Sequence, residues 1–413
     1  MGNPLAILSA PGSRGDVNPM VALGQELKRR GYDVEIRLAE PYVTEAESAG
    51  LNSHSLISRK RMNQILADPS MWSLFRGMRK VVSGVAAEFT RPHFEMVQSL
   101  SRPAETVLIS HPLDFASRIL RDVHTDLPLI DVHLAPVMLR TPPDPPRLTS
   151  WKFEPTNRPR TSRLSYWFGD KLILDPILRG PINEIRSECG LQEVDRIMNQ
   201  WWLSPDRVLA FYPQWFAPHV ADSCPVLRHV GFPLHDGTDD PFEVPADSPI
   251  VFTGGSANWH TRKFFGSAAD ACRQLGVGGL LLTESIDCVP NSLPPNVRSQ
   301  SYAPLGKLLP HCRAIVHHGG IGTTSQALRA GLPQVIRPMA FDQHDNAARI
   351  AKLGCGVTLH DDRKLAETLS QVLADESMVS TIRETSAKLQ PLEAISKAAD
   401  EVDAAMTRKT VSP

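Results

Sequence analysis

Short apolar runs alternate with stretches of helical spacing along most of the chain. Leu5 to Ala10 is a continuous apolar run and reads as a buried strand. Pro11 to Pro19 reads as a loop, and Met20 to Arg30 carries Leu23 and Leu27 at helical spacing before Gly31 closes it. Val34 to Leu38 reads as a second strand, followed by a helix from Tyr42 to Ala49 that Gly50 ends. Thr106 to Ser110 and Leu127 to Val132 read as further strands around a helix near Phe115 to Val123. The rhythm restarts later, with strands at Ile250 to Thr253, Gly279 to Thr283, Val297 to Tyr302, Ala314 to Val316 and Gln334 to Arg337, helices falling between and after them. Strands that are apolar throughout are buried on both faces, and strand–helix alternation implies a parallel, doubly wound sheet. The expected class is therefore α/β, with two facing Rossmann-like domains and an interdomain cleft.

Composition sets the boundaries. The 413 residues exceed what one compact core accommodates. The stretch His235-Asp236-Gly237-Thr238-Asp239-Asp240-Pro241, continuing through Pro249, is acidic and proline-bearing and reads as a linker. The expected division is an N-terminal Rossmann-like domain over 1–235, a linker over 236–249 and a second Rossmann-like domain over 250–385. Helices over 386–413 are expected to pack back on the first domain. A second proline-dense stretch, 141–159, reads as a long loop. Between 61 and 100, Met62, Met71, Met78, Val82, Phe94 and Met96 suit either core packing or an adaptable apolar groove.

Net charge of -1 with 22% charged residues gives no broad basic field, so nucleic acid is not an expected partner. No apolar run approaches the roughly 18 residues needed to span a bilayer. The N-terminus lacks the basic region of a signal peptide. Six widely spaced cysteines without a CxxC pair fit reduced thiols and do not suggest a zinc site. A cytoplasmic enzyme is expected, with peripheral contact at the inner membrane left open and the oligomeric state not readable.

Candidate chemistry lies where polar residues follow strands, because ligands of open α/β sheets sit beyond the carboxyl ends of strands. The first such stretch is His317-His318-Gly319-Gly320-Ile321-Gly322-Thr323-Thr324. A glycine-rich turn into a helix offers unpaired N–H groups and a partial positive charge, which suits phosphate. An ordinary tight turn is the alternative. Gly254-Gly255-Ser256 and Phe341-Asp342-Gln343-His344-Asp345-Asn346 follow other strands. Asp342 and Gln343 suit sugar hydroxyls, or else cap a helix. Asp16, in Gly12-Ser13-Arg14-Gly15-Asp16, could accept a proton from an attacking hydroxyl, or simply face its own helix dipole. His111 and His133, at the ends of two strands, could support acceptor binding or be satisfied core histidines.

These residues carry a resemblance. Tyr302-Ala303-Pro304-Leu305, His317-x-Gly-Gly-x-Gly-Thr323, Ala330-Gly331-Leu332-Pro333-Gln334 and Asp342-Gln343-x-x-Asn346 resemble the nucleotide-sugar signature of family 1 glycosyltransferases, which have the GT-B fold. Gly12-Ser13-Arg14-Gly15-Asp16 resembles the loop of the bacterial and sterol-type members. Pro213-Gln214-Trp215-Phe216-Ala217-Pro218 and Gly231-Phe232-Pro233-Leu234 are similar to the bacterial rhamnosyltransferases that make rhamnolipids, of the sterol and antibiotic glycosyltransferase type. The resemblance implies Asp16 as general base. It implies His317, Gly319, Gly320, Gly322, Thr323 and Ser256 around the diphosphate, with His318 a lesser candidate. Tyr302 would lie against the base, the Ala303 and Leu305 backbone would read its edge, and Asp342 and Gln343 would hold the sugar. It also implies a metal-independent, inverting transfer of a hexose or deoxyhexose, rhamnose among them, from dTDP- or UDP-sugar to a hydroxyl of an apolar or lipid acceptor. The nucleotide-sugar is a co-substrate, and no metal or true cofactor is expected. Where plant members carry a ribose-binding glutamate, eight residues after the phosphate histidine, this sequence has Ser325, which leans towards dTDP. A nucleotide-sugar epimerase or hydrolase of the same shape, or a non-catalytic binding protein, stays open at this point.

Overall fold

The computed structural model describes residues 2–102, 104–149, 159–218, 224–236, 242–255, 261–389 and 393–408. The chain forms two compact units. One comprises Met1–Pro146, Phe153–Pro233 and Leu392–Pro413, the other Arg147–Lys152 and Leu234–Pro391.

In the first unit the described strands are β1 (Leu5–Ala10), β2 (Asp33–Ala39), β3 (Asn52–Ile57), β4 (Thr106–Ser110), β5 (Leu129–His133), β6 (Arg207–Ala210) and β7 (Leu227–His229). They form one sheet in the order β3-β2-β1-β4-β5-β6-β7, every pair parallel. The order reverses direction between β1 and β4, which makes their carboxyl ends the topological switch point. β1, β4, β5 and β6 are buried at every residue, as two-sided helix cover requires. On one face Leu5, Ile7, Leu108, Phe115, Leu178 and Ile182 share a core with Trp201 and Trp202.

The second unit repeats the plan with β8 (Ile250–Thr253), β9 (Gly279–Leu282), β10 (Val297–Gln300), β11 (Ala314–His317), β12 (Gln334–Ile336) and β13 (Gly356–Thr358). Their order is β10-β9-β8-β11-β12-β13, again all parallel. The switch point lies between β8 and β11, where the two glycine-rich stretches emerge. Val251, Leu280, Leu308, Ile315 and Ala327 form a core on one face.

The final helix, Glu393–Arg408, belongs to the first unit and packs on the helix Arg14–Arg29. Arg30 donates to Asp400 and Asp403 at 2.7 Å each, and the Tyr32 hydroxyl donates to Asp403 at 2.7 Å. Ala394, Ala398, Ala399 and Val402 supply its buried face. No described helix is long and apolar enough to cross a membrane.

Two expectations change. Pro11 to Pro19 is not all loop, because the helix Arg14–Arg29 begins inside it. Ser13 caps that helix and Asp16, its third residue, completes a capping box, while Val17 and Met20 are buried; together these outweigh the breaker Pro19. β3, β6 and β7 carry no readable pattern. β3 is a polar edge strand, and the other two are four and three residues long.

Candidate active site

In the second unit, β11 ends at His317 and the helix Ile321–Ala330 begins four residues beyond, with Gly320 as its N-cap. Gly319 has φ +94, and a Cβ there would lie 2.8 Å from Ile336 and 3.0 Å from the Gln343 carbonyl oxygen, so glycine is required. The first intrahelical bond is from Thr324 N–H to the Gly320 carbonyl, 3.0 Å, which leaves the preceding amides directed out of the helix end.

The two histidines take opposite sides, as successive residues of an extended segment do. His317 is fully buried. Its Nδ1 accepts from Gly319 N–H at 3.1 Å and its Nε2 donates to Gln334 Oε1 at 2.9 Å. Burial, reinforced by His318, pushes its pKa down to about 3. With both ring nitrogens committed inside the unit, His317 has no atom left for a diphosphate. The expectation for this residue is therefore corrected. His318 is only partly buried, and its ring sits between two glycines: a Cβ at Gly255 would lie 2.7 Å, and one at Gly320 2.4 Å, from its Nε2. Its Nδ1 is buried without a partner, and burial lowers its pKa to about 4, so the ring is neutral near pH 7. A neutral, unbonded imidazole in a glycine cradle is the histidine that suits a ligand.

Around this turn, Gly322 is exposed and Thr323 half-buried. Ser325 is buried and donates to the Gly322 carbonyl at 2.9 Å, so it is turned into the helix and cannot read a ribose. The following residue, Gln326, donates instead to Asp236 Oδ1 at 3.2 Å. Asp236 Oδ1 also accepts from Gly306 N–H at 2.8 Å, and its carbonyl accepts from the Tyr302 hydroxyl at 2.5 Å. Asp236, read as linker, is thus fastened to Tyr302 and to the start of the helix Leu305–Leu308, beside a buried Ala303 and a half-buried Leu305. Counting eight from His318 rather than His317 would have pointed to Gln326; Asp236 left no signal in its composition-biased stretch.

Asp342 is the N-cap of the helix Gln343–Lys352 and is half-buried. Asn346 donates to Asp342 Oδ2 at 2.8 Å and to the Gly319 carbonyl at 2.9 Å, which ties this loop to the glycine turn. Gln343 is buried, and its Oε1 accepts from Met339 N–H at 2.8 Å and Ala340 N–H at 3.2 Å. Its carbonyl oxygen is therefore spent on backbone. Ser256 lies outside the described residues.

In the first unit Asp16 sits at the carboxyl end of β1 with 30% of its side chain exposed. Oδ2 accepts from Ser13 N–H at 2.7 Å and from the Ser13 hydroxyl at 3.2 Å. Gly12 makes room, since a Cβ there would lie 2.1 Å from Oδ2. Oδ1 is 3.3 Å from Nε2 of His111, the residue after β4. Leu113 N–H donates to His111 Nδ1 at 3.2 Å, which assigns the proton to Nε2 and makes His111 a donor to Asp16. Burial alone would raise the Asp16 pKa. Hydrogen bonds from His111 and from Ser13 overcome it and hold the carboxyl below its ordinary value.

Behind this pair, Ser9 accepts from His111 N–H at 3.2 Å and donates to Asp114 at 2.6 Å, and Asp114 also accepts from Ser117 and His93. Burial would raise Asp114 too, yet His93 and the Ser117 and Ser9 donors hold it far below the carboxylate range. His133 is fully buried, its ring 5.4 Å from Trp202 in an edge contact, and both ring nitrogens lack a partner. A cavity of about 450 Å³ is lined by Leu139, Arg140, Met198, Trp202, Leu203 and Cys224 among others. Trp202 Nε1 donates to the carbonyl of Pro112, next to His111, at 2.7 Å.

Comparison with known proteins agrees with this architecture. Residues 6–106 match the glycosyltransferase family 28 N-terminal domain, and residues 281–407 match the erythromycin biosynthesis protein CIII-like C-terminal domain. The O-mycaminosyltylonolide 6-deoxyallosyltransferase of Streptomyces fradiae is 27% identical over 83% of this chain and 82% of that protein. Among solved structures, the glycotransferase of kitacinnamycin superposes with a TM-score of 0.75 at 20% identity, covering 98% of this chain and 100% of that one. The spinosyn rhamnosyltransferase SpnG, complexed with thymidine diphosphate, superposes with a TM-score of 0.66 at 20% identity, covering 96% and 100%. With both domain types in sequence order on a matching pair of Rossmann-like units, the chain belongs to the GT-B glycosyltransferases of the antibiotic and natural-product type.

Proposed function

We propose that this enzyme transfers a hexose or deoxyhexose from a dTDP-sugar, with UDP-sugar as the alternative donor, to a hydroxyl of an apolar acceptor. The transfer is direct, inverting and metal-independent. The acceptor oxygen attacks the anomeric carbon as the bond to the diphosphate oxygen breaks, and the acceptor proton passes to Asp16. Negative charge that grows on the departing diphosphate is met by the amide end of the helix Ile321–Ala330, by the His318 N–H and by Thr323. Asp342, held by Asn346, bonds the sugar hydroxyls, and Tyr302 lies beside the base. Gln326, about 7 Å along the helix from its amide end at 1.5 Å per residue, and Asp236, which it bonds, read the ribose. The His318 ring cradled by Gly255 and Gly320 at the mouth of that helix is the observation that carries the reading. Thymidine diphosphate in the SpnG structure supports dTDP over UDP.

Thermal shift with dTDP, UDP and GDP tests the donor. At about 100 times its Kd the preferred nucleotide stabilises by about 2.7 kcal/mol. The sugar nucleotide should then release its nucleoside diphosphate only when an apolar alcohol is present. No shift with any nucleotide, or free or epimerised sugar in the absence of acceptor, would refute this function.

A further inference from the structure

The helix Pro159–Gly169 and the π-helical turn Asp170–Leu174 that extends it leave four large apolar side chains in solvent. Leu164 is 55% exposed, Trp167 41%, Phe168 48% and Leu172 70%. Their spacing of three, four and eight residues from Leu164 puts them on one side of the helix. Elsewhere among the described residues, large exposed apolar side chains are scattered singly (Leu148, Val244, Ile286), which is ordinary for a protein surface.

Among the described residues 159–175, the exposed charges are all cationic. Arg160, Arg163 and Lys171 are exposed along the same segment. Its carboxylates are withdrawn: Asp170 is buried and takes both Arg140 guanidinium nitrogens, at 2.7 and 2.6 Å, and Asp175 is buried and accepts from Ile197 N–H at 3.2 Å. An apolar face with aromatic rings and a cationic flank matches an anionic lipid surface, where rings enter the headgroup boundary and cations meet lipid phosphates.

We propose that this face docks the enzyme on anionic membrane surfaces. The same helix also contributes Pro159 and Arg163 to the wall of the 450 Å³ cavity that Met198 and Trp202 line. An apolar acceptor dissolved in the lipid would thereby reach the cavity beside the docked face. That last step rests on the apolar-acceptor reading above, whereas the docking does not.

Co-sedimentation with phosphatidylcholine vesicles, alone and with phosphatidylglycerol added, tests the docking on the full chain. The expected result is binding to the anionic vesicles about 10- to 100-fold tighter than to neutral ones, weakened by salt. The double variant Trp167→Ser/Phe168→Ser should lose binding to both. The triple variant Arg160→Glu/Arg163→Glu/Lys171→Glu should lose the anionic preference. All variants should keep the native circular dichroism and the dTDP thermal shift. Native chain that pellets with neither vesicle, or variants that bind as the native chain does, would overturn the proposal. A dimer that Phe168→Ser converts to monomer, without vesicle binding, would overturn it as well and assign the face to a second copy of the chain.

Discussion

The turn after β1 and the turn after β11 are built on one plan and differ in the chemistry they carry at one position. Each leads from a central parallel strand to a helix at a topological switch point. In the first, N-cap Ser13 is followed by Arg14, Gly15 and Asp16; in the second, N-cap Gly320 is followed by Ile321, Gly322 and Thr323. Asp16 and Thr323 thus hold the same third position of their helices. A carboxylate there folds back on Ser13 N–H and closes its own helix end. Threonine there, after a glycine without a side chain to cap, leaves the amide end open to an external anion. One residue at an equivalent position thus separates a helix end closed by its own carboxylate from one whose amides stay open.

Asp16→Asn should produce the largest effect. It keeps the cap geometry and removes the base, so turnover should fall by about 10²–10⁴-fold with dTDP affinity unchanged in calorimetry. Near-native turnover would end the assignment. The sharpest way to break the comparison is Thr323→Asp, which gives the second turn the carboxylate of the first. Like charges at the phosphate should weaken dTDP binding on the order of 100-fold without unfolding the unit; unchanged binding would mean that the anion sits elsewhere. The two histidines should separate next. His318→Ala should cost about 10-fold in dTDP affinity with little change in Tm. His317→Ala should cost about 1–3 kcal/mol of stability through the unpaired Gln334, with at most a small effect on affinity. The reverse pattern would restore His317 as the phosphate ligand.

The smallest effect concerns pH. His111 helps hold the Asp16 pKa below its ordinary value, so the basic form persists into acid. His111→Leu removes a donor to the carboxylate, so the Asp16 pKa should rise and the acid limb of kcat/KM should move to higher pH. A lower plateau with an unmoved acid limb would show that His111 acts otherwise than through Asp16.

Much of this was legible along the chain, and the residues that escaped share a cause. β1, β4, β8 and β11 announce themselves because strands buried on both faces need unbroken apolar runs. The helix Phe115–Val123 and the Gly331 end of the helix Ile321–Ala330, with φ +72, follow from spacing and from glycine's freedom. Which of two adjacent histidines faces outward cannot be read in the same way, because a strand covered on both sides has no polar face to set its phase. Gln334, seventeen residues from His317, decides it. Ser325 likewise misled, because its hydroxyl is spent within its own helix.

The sequence by itself determined the α/β class, the positions of the two glycine-bearing turns and the chemistry available at each, because these rest on local periodicity and on residue types. Only the tertiary structure decided which atoms are free. It paired Asp16 with His111 across 95 residues, engaged His317 and left His318 unbonded, and drew Asp236 to Gln326 across 90. It also laid the helix Glu393–Arg408 against Arg30 and Tyr32. A hydrogen bond between residues far apart in the chain depends on where two strands or helices come to lie side by side, and no local pattern encodes that adjacency.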